Sequence, residues 1–132
     1  MTLNDKNKSL SASEEAELNQ AIQMYYRDKF DESVPVFEKY AAKGNTKAMT
    51  FLGGFYDSTC TNSPRTDDKK AFYWYKKAAD LGDADAQYYV GLCYVGGIGV
   101  SIDEDIAYTW IKKAAKNGSK QAQRELESLY GE

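Results

Sequence analysis

The sequence contains no histidine. That absence removes imidazole acid–base catalysis, the Ser-His-Asp and Cys-His nucleophile systems, and every imidazole metal site. Cysteine is almost as scarce. Cys60 and Cys93 are too few for a disulfide framework and fit no metal-ligand spacing, so two free thiols in a reducing compartment are expected. No apolar run approaches the ~18 residues of a membrane span, and no membrane insertion is expected. No apolar stretch follows residues 1–6, so no secretory signal is read there. A cytoplasmic location is expected, or a periplasmic one if an export signal was removed. No basic stripe outweighs the acids around it. With a net charge of −3 and a pI of about 5.1, no nucleic-acid partner is expected. The lysine pairs Lys69-Lys70, Lys76-Lys77 and Lys112-Lys113 sit beside Asp or Glu in helical patterns and read as solvated faces. The alternation of β-branched residues that marks strands is nearly absent.

What the chain does have is 132 residues, 42% of them hydrophobic and 28% charged, which is enough for one folded domain with a real core. It also repeats itself. The segment from Ala71 through Trp74, Lys76-Lys77 and Ala78-Ala79 to Gly82 recurs from Ala107 through Trp110, Lys112-Lys113 and Ala114-Ala115 to Gly118, at a constant offset of 36. Ala48, Leu52, Gly53 and Tyr56 pair with Ala86, Val90, Gly91 and Tyr94 at an offset of 38. Two extra residues therefore lie in 58–66, which contains Pro64 and reads as a loop. Backwards, Ser33, Phe37, Ala41 and Gly44 fall under Ala71, Tyr75, Ala79 and Gly82. Forwards, Ala122, Leu126 and Tyr130 fall under Ala86, Val90 and Tyr94. A repeat of this length is the mark of a tandem array.

Within each block apolar residues recur at the spacing of an amphipathic helix. The periodicity predicts helices over 13–27, 31–43, 46–58, 67–81, 84–95, 103–117 and 119–130. Asp67 and Asp103 stand where N-caps belong, Ser11 with Glu14 forms a capping-box pattern, and Gly44, Gly82 and Gly118 stand where left-handed C-caps belong. The last helix is rich in Lys, Gln, Arg and Glu and reads as a cap on the array. The expected architecture is all-α: a tail over 1–12, then one domain over 13–132. That domain has hairpins at about 13–45, 46–83 and 84–118, and a capping helix over 119–130.

Residues 86–118 resemble the Sel-one-like repeat, a relative of the tetratricopeptide repeat. The resemblance rests on Ala86, Gly91, Tyr94, the loop Gly97-Ile98-Gly99-Val100, Asp103, Ala107, Trp110, Lys113-Ala114-Ala115 and Gly118. It extends from about Ser33 to the C-terminus. Over 46–82 the Gly-Val loop is replaced by Thr59-Cys60-Thr61-Asn62-Ser63-Pro64-Arg65. The first pair, 13–43, looks closer to a tetratricopeptide hairpin, with a short turn at Asp28-Lys29-Phe30-Asp31. The resemblance implies a right-handed superhelix of helix hairpins whose first helices line a concave face. It also implies protein–protein interaction without intrinsic catalysis.

Groups that could carry chemistry have simpler assignments. Asp83-Ala84-Asp85 and Asp103-Glu104-Asp105 open helices, where acids suit the helix dipole. Gly96-Gly97-Ile98-Gly99 lacks the preceding strand of a phosphate loop, and the repeat explains its glycines. On the repeat register Cys93 matches Phe55, about five residues from Cys60. That is roughly 7 Å along a helix, longer than a disulfide favours. Phe37, Tyr56, Trp74, Tyr75, Tyr94 and Trp110 fall on packing positions, and each Trp is expected between the two helices of its own repeat. The faces turned from the second helices carry Thr50, Gly54 and Asp57 in one repeat and Tyr88, Leu92 and Val95 in the next, with Ile22, Tyr25 and Tyr26 near the equivalent surface of the first hairpin. These nine residues are the expected concave, partner-binding face, with Tyr88 as its aromatic anchor; the competing reading is plain packing between repeats, for Tyr88 included. The function expected is a non-enzymatic module, a monomer or weak dimer, that binds a protein and uses neither cofactor nor metal. The most specific form of that reading is a bacterial immunity protein neutralising a secreted toxin or effector. The alternative is an adaptor in signalling or envelope assembly, and a remote one is a small carboxylate-dependent hydrolase.

Overall fold

The computed structural model describes residues 9–131, without the side chain of Tyr130. Most of the expected tail, residues 1–8, therefore lies outside the described residues, as do Glu132 and the Tyr130 ring aligned with Tyr94. Seven helices run in order: α1 (Ala12–Tyr26), α2 (Phe30–Ala42), α3 (Thr46–Tyr56), α4 (Asp68–Asp80), α5 (Ala84–Gly96), α6 (Glu104–Lys116) and α7 (Lys120–Tyr130). Their ends fall within two residues of those read from periodicity, and there is no strand among the described residues. Each helix packs chiefly on its neighbours in sequence, and α5 also reaches α7. This is the architecture of a solenoid of helix hairpins.

The connections have a chemical logic that repeats with the sequence. Ser11 and Glu14 form the expected capping box, with Ser11 N–H to Glu14 Oε1 at 2.9 Å and Glu14 N–H to Ser11 Oγ at 3.2 Å. Between hairpins the chain turns through Gly44, Gly82 and Gly118, at φ of 91°, 101° and 106°. A side chain would be strained there, which is why glycine recurs. The next residue in each turn, Asn45, Asp83 or Ser119, reaches back to the carbonyl of Tyr40, Ala78 or Ala114. Its side chain then caps the following helix at the amide of Ala48, Ala86 or Ala122. The Asn45, Asp83 and Ser119 side-chain caps are additions to those expected. Asp67 and Asp103 cap α4 and α6 as expected. Their own amides close the long loops, Asp67 N–H to Tyr56 O at 2.7 Å and Asp103 N–H to Tyr94 O at 3.0 Å. The same closure spans ten residues in one repeat, 57–66, and eight in the other, 95–102.

Packing within a hairpin is set by a glycine facing a large side chain. A Cβ on Gly53 would lie 2.4 Å from the Tyr75 ring, and one on Gly91 would lie 2.6 Å from Ile111. Tyr75 and Ile111 are buried, as are Phe37, Tyr40, Met49, Leu52 and Phe55. This corrects the expectation for the tryptophans. Trp74 and Trp110 are only half-buried, as are Tyr56 and Tyr94. The reason is angular: successive helix residues point about 100° apart, so a helix that aims Tyr75 at Gly53 turns Trp74 to its flank. There the indoles lie under lysines, with Lys77 Nζ 5.6 Å from the Trp74 ring and Lys113 Nζ 5.2 Å from that of Trp110.

One position in the array carries a mismatch. Ser33 is fully buried where the repeat places Ala71 and Ala107, and among the described residues its hydroxyl has no hydrogen-bond partner. A buried unpaired hydroxyl costs about 1–3 kcal/mol. Ser33→Ala should therefore raise unfolding free energy by about 1 kcal/mol in urea titration. An unchanged midpoint would mean that water satisfies the hydroxyl.

Candidate functional site

A groove of about 520 Å³ crosses α1, α3 and the start of α5. Its character comes from aromatic rings that the core has not absorbed. Tyr25 meets Tyr26, Phe51 and Phe30 edge-on, with ring centroids 5.5, 5.3 and 5.6 Å away. Tyr26 also meets Phe51 at 5.9 Å while remaining 72% exposed. On the far side Tyr89 of α5 stacks on Tyr75 at 5.1 Å. Gly54 makes room for this cluster, since a Cβ there would come within 2.8 Å of the Tyr25 hydroxyl.

The floor is polar and tied down. Buried Asp57 accepts the Tyr75 hydroxyl at 3.0 Å on one carboxylate oxygen. Its other oxygen accepts Thr59 N–H at 2.8 Å and Thr59 Oγ1–H at 2.6 Å. Burial holds the phenols of Tyr25, Tyr75 and Tyr89 above their ordinary pKa, so they stay neutral near pH 7. The Cys60 thiol lines the groove 3.9 Å from the Tyr75 hydroxyl and is raised chiefly by burial, then by Asp57. Cys93 lies inside α5, where burial pushes its thiol up to about 12. Both cysteines are free, and neither is poised as a thiolate. The rim is acidic, with Asp28, Asp83 and Asp85 against Lys47. Burial, then Asp83, raises the Asp85 carboxyl. Among the described residues no cluster of metal-binding side chains is found, and no helix is long and apolar enough to cross a membrane.

Of the nine residues expected on the concave face, the structure brings four together in this groove: Tyr25, Tyr26, Thr50 and Gly54. Asp57 lies beneath it as a buried support. Ile22 is half-buried against the main core, and Val95 is exposed near the end of α5. Leu92 is half-buried against a second cluster formed with α7. Tyr88 belongs to that second cluster too. It is only 9% exposed, and its hydroxyl donates to Glu125 Oε1 at 3.2 Å. Burial and Glu125 push its phenol up to about 12. In this position Tyr88 packs α5 against α7 instead of standing on an open wall. The residues that do line the groove, Phe51 and Tyr89, occupy the same repeat position, two before Gly53 and Gly91. The 38-residue offset held that equivalence, but it lies one residue beyond the face read from the sequence.

The geometry has counterparts among known proteins. A family model described as the Sel1 repeat matches residues 46–83 and 84–119, the second and third hairpins. DAP3-binding cell death enhancer 1 of Rattus norvegicus is 32% identical over 98 residues, covering 74% of this chain and 18% of that protein. Activator of C kinase protein 1 of Saccharomyces cerevisiae is 33% identical over 103 residues, covering 74% and 16%. The chain thus spans less than a fifth of the length of these curated relatives. The crystal structure of a Sel1 repeat protein from Oxalobacter formigenes superposes with a TM-score of 0.75 at 28% identity, over 90% of this chain and 49% of that one.

Proposed function

The chain belongs to the Sel1 repeat family, and on that footing we propose that it is a protein-binding module whose partner lies in the groove between α1, α3 and α5. The observation that carries this reading is the set of open aromatic rings, above all Tyr26 at 72% exposure beside half-buried Tyr25 and Phe51. A core has no use for a ring left in water, whereas rigid aromatic groups in a concavity dominate interface energies. Two finer roles fit such a module. An adaptor role is supported by the rat relative, whose name describes binding of another protein. Neutralisation of a secreted toxin is supported by the acidic rim and the net charge of −3, which suit masking of a basic surface. Rescue of cells expressing the captured partner would mark it as a toxin and this chain as its immunity protein. Co-purification of two partners at once would mark an adaptor.

The experiment turns on Tyr26, because its exposure separates binding from folding. Affinity capture from native cells identifies the partner, and titration then compares wild type with Tyr26→Ala. The variant should bind about thirtyfold more weakly, equivalent to about 2 kcal/mol. Its helical content and melting temperature should stay near wild type. Unchanged affinity would move the partner to another surface.

A further inference from the structure

Several half-buried or exposed rings outside the groove lie under the protein's own cations. Lys70 lies 5.3 Å from the Tyr56 ring centroid, Lys77 lies 5.6 Å from that of Trp74, and Lys113 lies 5.2 Å from that of Trp110. Among the described residues no lysine or arginine stands over Tyr25, Tyr26, Phe51 or Tyr89. The same groove holds carboxylates that no internal ion pair neutralises. Asp28 sits at its edge with φ of 60°, a conformation that Asp tolerates better than most residues, and Asp85 sits in the first turn of α5. Neither forms a salt bridge among the described residues. Asp85 is exposed, and partial desolvation and then Asp83 raise its carboxyl, so its charge gains from an incoming counter-ion. The ring surface left open here, above all that of Tyr26 at 72% exposure, lies beside unpaired carboxylates and forms a site for a cation with a flat or slender head.

We propose that the groove receives an arginine- or lysine-bearing segment of the partner protein, with the cationic head over the Tyr25, Tyr26 and Phe51 rings and with Asp28 and Asp85 as its counter-charges. This rests on the reading of the groove as the partner site and adds what the partner must present there. The volume, about 520 Å³, accommodates a few side chains of an extended segment. Lys47 at the same rim disfavours an arrangement of two cations side by side, so one basic residue flanked by uncharged ones suits the groove best.

The test is selection of a displayed library of short random peptides on the full chain. Selected peptides are then titrated against wild type, Tyr26→Ala and the double variant Asp28→Asn, Asp85→Asn. Asparagine suits the left-handed backbone at 28, and circular dichroism checks that each variant is folded. Wild type should enrich peptides with Arg or Lys at a fixed position. Their affinity should fall about tenfold or more on the double variant and on Tyr26→Ala, and it should weaken as salt rises. Selected peptides that lack a cation, bind the double variant as tightly as wild type and are lost on Tyr26→Ala would overturn the cation inference and leave the groove as the partner site. Peptides indifferent to both variants, or no enrichment at all, would overturn both.

Discussion

Replacing Tyr75 with alanine should lower the unfolding free energy by about 3–5 kcal/mol, the usual loss for emptying a large buried aromatic site. The ring is 1% exposed, lies against Gly53 and stacks under Tyr89, so its removal opens a cavity beneath the groove. Tyr75→Phe separates the ring from its hydroxyl. It keeps the volume but strips Asp57 of a buried donor at 3.0 Å, which should cost about 1–3 kcal/mol. A Phe variant as stable as wild type would show that water replaces the phenol. The same phenol ties stability to alkaline pH. Burial foremost, then Cys60 and Asp57, raise its pKa in the folded protein, while the unfolded chain ionises near the ordinary 10.0. The folded state therefore binds the proton more tightly. Its contribution is complete below about pH 10 and is lost as pH climbs past that value. Urea titrations of wild type and Tyr75→Phe on either side of pH 10 should show the wild type losing its advantage.

Ile111→Ala should cost about 2–5 kcal/mol, and Trp110→Ala, one residue earlier, only about 1–2. The smaller side chain carries the larger effect because of where it points. Ile111 is 0% exposed and fills the space over Gly91, so alanine leaves a hole that two closely approached helices cannot collapse. Trp110 is half-buried on the flank, where Lys76 and Lys113 lie 5.6 and 5.2 Å from its ring centroid. Truncating it exposes surface and loses two weak contacts but opens no void. Thermal melts of the two variants decide the point through their order. A Trp110 variant less stable than the Ile111 variant would invert the packing described for this hairpin.

The helices, their caps and the glycine turns were legible because they depend on local chemistry. The Ser11–Glu14 box and Gly82 act within a few residues of where they stand. The angular phase of each helix was less legible. A tryptophan repeated at a fixed offset looks like a core landmark, and periodicity alone does not distinguish Trp74 from Tyr75. What distinguishes them is the glycine on the partner helix, a contact 22 residues away. The groove suffered from the same one-residue ambiguity, which placed Tyr88 where Tyr89 belongs. Asp28 and Cys60 were missed as groove residues for another reason. They sit in a turn and a loop, and only the stacking of hairpins brings them beside Tyr25. Tyr26, by contrast, was read near the equivalent surface of the first hairpin, and its ring lines the groove.

The two long loops are fastened at the same points, Tyr56 to Asp67 and Tyr94 to Asp103, although one holds two residues more than the other. A fastening that tolerates different lengths makes the enclosed chain replaceable. Lengthening a closed loop is thermodynamically gentle, about 0.6 kcal/mol for each doubling, so inserts there need not shift the register of any helix. The first of these loops supplies Cys60 and Thr61 to one wall of the groove. Selection can therefore redraw that wall while the rings opposite stay where the helices hold them. In a scaffold of this kind, new preferences can arise through loop exchange at a repeated socket, at little expense to the fold that carries it.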